Sequence, residues 1–184
     1  SAYVNYADPP TETKLNDRIC ISIVPPGIFP QTEKTGEAFR QQWQGWRDTG
    51  AVLKLRPNIT HAGHNMPVSY TRWLHRNFTF AAENGMIATG WDSLTGQWAT
   101  QGPTLYLLAR LHVRPEMTRE AILDEYYAAF GPAKNSVKTY FDYWENVSAG
   151  VTQDEFSLYR KEESGGDHRN WLLVADRIFT RVGA

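Results

Sequence analysis

Cysteine is nearly missing from this chain. A single residue, Cys20, among 184 positions rules out an intrachain disulfide and a thiolate metal cluster. It lies inside the apolar run ICISIV, which predicts a buried, inert thiol. A dominant charge is missing too: 19 basic residues face 20 acidic ones, with no long run of either sign. That balance leaves no electrostatic footprint for nucleic acid or an anionic membrane. No apolar stretch approaches the ~20 residues of a membrane span, and no signal peptide opens the sequence. There is no Gly-rich phosphate loop, no G-x-S-x-G elbow and no C-x-x-C pair, so no cofactor is expected. His61 and His64, in HAGH, are two potential ligands without a clear third, and no metal is assigned.

Aromatic side chains are what the sequence has in quantity. Seven Trp, nine Tyr and eight Phe make 13% of the chain, more than a bland core requires. The hydrophobic fraction of 41% suits one ordinary globular domain with a real core. Three N-x-S/T sequons occur, at Asn58, Asn77 and Asn146, and they matter if a eukaryotic secretory pathway makes the protein.

Four strand-like runs fall in the first half: AYVNY (2–6), ICISIV (19–24), AVLKLR (51–56) and GMIATG (85–90). The second and fourth are almost continuously apolar, as strands covered on both faces tend to be. Helical patterns separate them. Residues 37–49 carry Phe39, Trp43 and Trp46 on one face and stop at Gly50. Residues 67–84 open with Pro67, carry Tyr70, Leu74, Phe78 and Ala81, and stop at Gly85. A third pattern, 103–113, again begins with Pro. Strands alternating with helices argue for parallel βαβ units with right-handed crossovers. Beyond residue 114 the patterns are helical alone. Thr118 is a helix cap, Gly131-Pro132 is a break, and Val137, Tyr140, Phe141, Trp144 and Val147 form an apolar stripe expected in the core. The polar stretch KEESGGDHRN precedes a last amphipathic helix with Leu172, Ala175, Ile178 and Phe179.

The expected fold is therefore α/β: a partial (βα)8 TIM-type barrel of four parallel strands over residues 1–114, followed by an all-helical extension packed on it over 115–184. A complete barrel takes eight strands and roughly 250 residues. Four strands leave two sheet edges open, so either two copies self-associate or an upstream half-barrel of the same protein completes the ring.

In parallel α/β folds ligands meet the carboxyl ends of the strands. Those ends collect Asn5 and Tyr6, then Arg56, Asn58 and His64, then Trp91, Asp92 and Trp98. Indoles offer flat apolar faces at little rotamer cost, and polar groups beside them fix hydroxyls, a mixture suited to a sugar ring. Asp92 is the candidate catalytic carboxylate, and the other seven are candidate substrate-binding residues. Glycoside hydrolysis normally needs two carboxylates. The second offered here, Asp8, is weakly placed, and Glu83 sits at the wrong end of a helix. Three readings stay open: a glycoside hydrolase fragment, a non-catalytic carbohydrate-binding module, and an interaction domain whose aromatics fill a core.

Several motifs carry a family resemblance. They are AYVNYADPP, W-x-x-W at Trp43 and Trp46, LRPN at 55–58, MP at 66–67, GMIATGWDSLTGQWATQGPTLYLLARL, and EAILDEYYAAFGPAKNSVKTYFDYWE with its F-G-P-A signature. Over about residues 2–147 the chain resembles the C-terminal part of the bacterial DUF4838 family, whose barrel is similar to those of α-glucuronidases and β-hexosaminidases. The resemblance implies four further strands upstream, with a general acid on the fourth. It also implies a carbohydrate partner and an extracytoplasmic setting, secreted or periplasmic.

Overall fold

The computed structural model describes residues 1–2, 4–26, 29–59, 68–91, 98–152 and 154. Their architecture is mixed α/β: a three-stranded parallel sheet and five α-helices. The strands are β1 (Cys20–Ile23), β2 (Val52–Leu55) and β3 (Met86–Thr89), hydrogen-bonded in the order β1-β2-β3. Cys20 pairs with Val52 and Ile23 with Leu55, and a register shift between Leu53 and Lys54 precedes the pairing of Thr89 with Leu55.

Helix α1 (Glu33–Asp48) joins β1 to β2, and α2 (Thr71–Glu83) joins β2 to β3. Helix α1 begins four residues before the apolar pattern at 37 because Thr32 and Thr35 form a reciprocal capping box, each side chain bonding the other's backbone. Strands β3 and helix α3 (Trp98–Val113) follow the same alternation. Pro103 falls inside α3, so this helix starts before the proline rather than at it. Thr118 caps α4 (Arg119–Ala128) through Ala121 N–H, and a 3-10 turn, Gly131–Ala133, leads into α5 (Lys134–Gly150).

Because the strands succeed one another in the same direction, right-handed crossovers deliver α1 and α2 to the same face of the sheet. The core lies there. Ile23, Leu53 and Leu55 pack with Phe39, Trp43 and Trp46 of α1, Leu74, Phe78 and Ala81 of α2, and Leu107 and Leu111 of α3. Trp43 is fully buried, and its indole N–H donates to the Asn84 carbonyl at 3.0 Å, closing α1 against the turn after α2. The other sheet face carries Cys20, Ser22, Val52, Lys54 and Ala88. No described helix packs on it: Cys20 and Ala88 are exposed, and Ile87, beside the register shift, is 66% exposed.

Three expectations need correction. The run 2–6 is not a strand. Ala2 makes one parallel bridge to Ile23, and Val4–Tyr6 turn into a 3-10 helix before Pro9 and Pro10, which cannot donate to a ladder. The expected four-strand half-barrel is thus three strands and a bridge. Cys20 is exposed, not buried, because strand alternation turns it away from Ile21 and Ile23. Ile122 of α4 is fully buried in the same core as the sheet. In the α5 stripe Trp144 is buried, but Tyr140 is 47% exposed, since among the described residues α5 packs chiefly on α4. The amphipathic pattern at 172–179 lies outside the described residues.

Candidate functional site

The downstream tips of β2 and β3 meet at Gly90. Its backbone N–H donates to the Leu55 carbonyl at 2.8 Å, extending the ladder one residue past β3. A Cβ at Gly90 would lie 2.9 Å from Lys54 Cε and 3.8 Å from Arg56 Cγ. The side chains of Lys54 and Arg56 thus lie against Gly90 at the strand end, one residue before Trp91.

Arg56 Nη1 donates to Asn58 Oδ1 at 3.1 Å, and Asn58 is 4% exposed. The loop after β2 thus spends polar groups on its own shape. Trp91 is half-buried and donates its indole N–H to Thr89 Oγ1 at 3.1 Å. Thr89 Oγ1 lies 2.7 Å from His112 Nε2, and His112 Nδ1 is 2.8 Å from the Leu108 carbonyl. The imidazole meets Trp91 edge-on, with ring centres 6.2 Å apart, and meets Phe78 likewise at 5.1 Å.

The structure therefore joins Arg56 to Asn58 and sets Arg56 beside Gly90, while the indole of Trp91, next in the chain, turns to Thr89 and His112. Asn5 and Tyr6 sit in the 3-10 turn rather than at a strand tip, both exposed, Tyr6 at 78%. Trp98 opens α3 and is 57% exposed. Asp92 and His64 lie outside the described residues, as does His61. Two residues were missed by sequence reasoning, Lys54 and His112. Lys54 was legible: in VLKLR the period-2 alternation puts Lys54 and Arg56 on the face opposite Leu53 and Leu55. His112 was not, since its partner is 23 residues away on β3.

A second concavity, a cleft of about 760 Å³, lies between the start of α2, α4 and α5. Its apolar lining includes Tyr70 and Tyr127, whose phenols are pushed far above their usual range by burial. Its charges are internally matched. Arg119 pairs with both carboxylate oxygens of Glu145 and donates to Thr71 Oγ1 at 3.1 Å, and Lys138 pairs with Asp142. The Arg119 contacts link α2, α4 and α5, the Lys138 pair lies within α5, and together they leave little for a charged ligand.

Among the described residues no group of three His, Cys, Asp or Glu is placed to hold a metal ion, and no helix is long and apolar enough to cross a membrane. Of the sequons, Asn58 and Asn77 are buried at 4% and 8% exposure, so the folded chain does not present them. Asn146 is exposed, but the Ser148 hydroxyl of its triplet is buried and bonded to the Trp144 carbonyl.

Compared with known families, residues 1–142 match the model described as Domain of unknown function (DUF4838). The chain belongs to the DUF4838 family. No curated protein and no solved structure matches it. In this DUF4838 chain the match takes in β1 to β3, α1 to α4 and Gly90–Trp91.

Proposed function

We propose that this chain is part of a (βα)-barrel of the glycoside hydrolase type, and that the tips of β2 and β3 contribute to a carbohydrate site. The observation that carries this reading is the one-sided sheet. Parallel sheets are normally covered on both faces, and closure into a barrel is the standard solution when every helix lies on one side. The bare face would then line the barrel, and Lys54, Arg56 and Trp91 would stand at its mouth. Trp91 would stack on a sugar ring, Lys54 and Arg56 would donate to its oxygens, and Asp92 would orient or deprotonate a reacting group. A second copy or an upstream half-barrel would cover the face that the described residues leave bare, and we propose that this chain self-associates when it lacks the half-barrel.

Calorimetry against a glycan panel tests the site. Binding that weakens by roughly tenfold or more in Trp91→Ala supports it, and a panel with no binder to the wild-type chain or to its full-length protein refutes it.

A second reading, a binding module without catalysis, is favoured by one observation. Hydrolysis normally takes two flanking carboxylates, and the strand ends of the sequence offer Asp92 with only the weakly placed Asp8. Turnover of aryl glycosides or aryl glucuronides by the full-length protein, lost in Asp92→Asn, would decide for the enzyme. Saccharide binding without turnover would decide for the module.

A further inference from the structure

The hydrogen bonds around Thr89 run in one direction. The Trp91 indole nitrogen can only donate, so Thr89 Oγ1 accepts from it at 3.1 Å. The Leu108 carbonyl can only accept, so His112 Nδ1 carries a proton and donates to it at 2.8 Å. In the neutral ring His112 Nε2 is then an acceptor, and it receives the Thr89 hydroxyl proton at 2.7 Å. Every polar hydrogen in the chain Trp91, Thr89, His112, Leu108 has a partner in this arrangement. In the imidazolium both ring nitrogens would donate, and the Thr89 proton would lose its acceptor. The partners thus assign the Nδ1–H tautomer.

We infer that Thr89 and His112 are positioning residues that fix the Trp91 indole. Tryptophan at the start of a loop has two free side-chain torsions. Here one edge of the ring is tied to β3 through Thr89, and its flank meets the imidazole edge-on. That imidazole is itself held by the Leu108 carbonyl of α3 and by Phe78 of α2, which is 3% exposed. The indole is thereby referenced to three elements of the rigid core while remaining half-exposed. Its purpose rests on the saccharide reading above, because a stacking platform gains affinity when its orientation is set before the ligand arrives. The geometry does not rest on that reading.

The ligand-free test is the indole N–H cross-peak of Trp91 in a ¹⁵N-labelled chain, assigned by its disappearance in Trp91→Phe. Thr89→Val keeps the β-branched shape suited to a strand and removes the acceptor. The expected result is an upfield move with broadening or doubling in Thr89→Val and in His112→Ala. Thr89→Ser, which restores the hydroxyl, and His112→Gln, which restores an acceptor, should return the peak towards its wild-type position. An unchanged peak in Thr89→Val overturns the inference, and so does a peak displaced equally in Thr89→Ser. Saccharide affinity is read separately: about three- to tenfold weaker binding is expected in Thr89→Val, recovered in Thr89→Ser. If no saccharide binds the wild type, the carbohydrate reading falls, while the cross-peak still decides the positioning role.

Discussion

The two faces of the β1–β2–β3 sheet are built from the same three strands and could hardly differ more. On one, Ile23, Leu53 and Leu55 are essentially sealed beneath Phe39, Trp43, Leu74 and Phe78. On the other, Ser22 and Lys54 sit beside Cys20, Val52 and Ala88, with Ile87 largely in solvent. The difference teaches that one face carries the stability of this unit, while no described element covers the other. Right-handed crossovers that add each strand in the same direction, as in the order β1-β2-β3, place their helices on one side of the sheet only.

Substitutions on the two faces should separate sharply in chemical denaturation. Trp43→Ala removes a fully buried indole together with its bond to Asn84, and the expected loss is about 3–5 kcal/mol. Next comes the connection that feeds β2 on the covered side. Gly50 has φ +92°, and a Cβ there would come 2.7 Å from the Leu15 carbonyl oxygen. Gly50→Ala should therefore cost about 2–3 kcal/mol, from the strained backbone and the collision together. Ile87→Ser on the bare face should fall within about 0.5 kcal/mol of wild type at concentrations where the chain is monomeric. A loss at Ile87 as large as that at Trp43 would erase the comparison. A loss at Ile87 that grows with protein concentration would sharpen it, by showing that a second copy covers this face.

Much of this was legible in the residues. The alternation of three strands with helices, the buried positions Phe39, Trp43, Leu74 and Phe78, and the Thr118 cap follow from periodicity and local chemistry. What misled was the run ICISIV. Its apolar residues suggest burial on both faces, yet Cys20 and Ser22 are small enough to stand on an uncovered face without much apolar exposure, and the string cannot distinguish the two cases. AYVNY failed differently: the fourth strand would have had one neighbour, and Val4–Tyr6 coil instead. Of the candidate site, Arg56, Asn58 and Trp91 could be read from strand ends, and Lys54 from the alternation in VLKLR. The tie from Thr89 to His112 could not, because it depends on how α3 packs over β3.

The central claim is that no described element covers the Cys20 face of the sheet, and the lone cysteine reports on it without mutation. The rate of native-state thiol labelling at the lowest workable concentration, measured against the unfolded chain, is the direct test. The account predicts a native rate within about tenfold of the unfolded one, as for a thiol held at an exposed surface. A thiol that stays inert until the protein unfolds would contradict it, because something within the chain would then already cover that face.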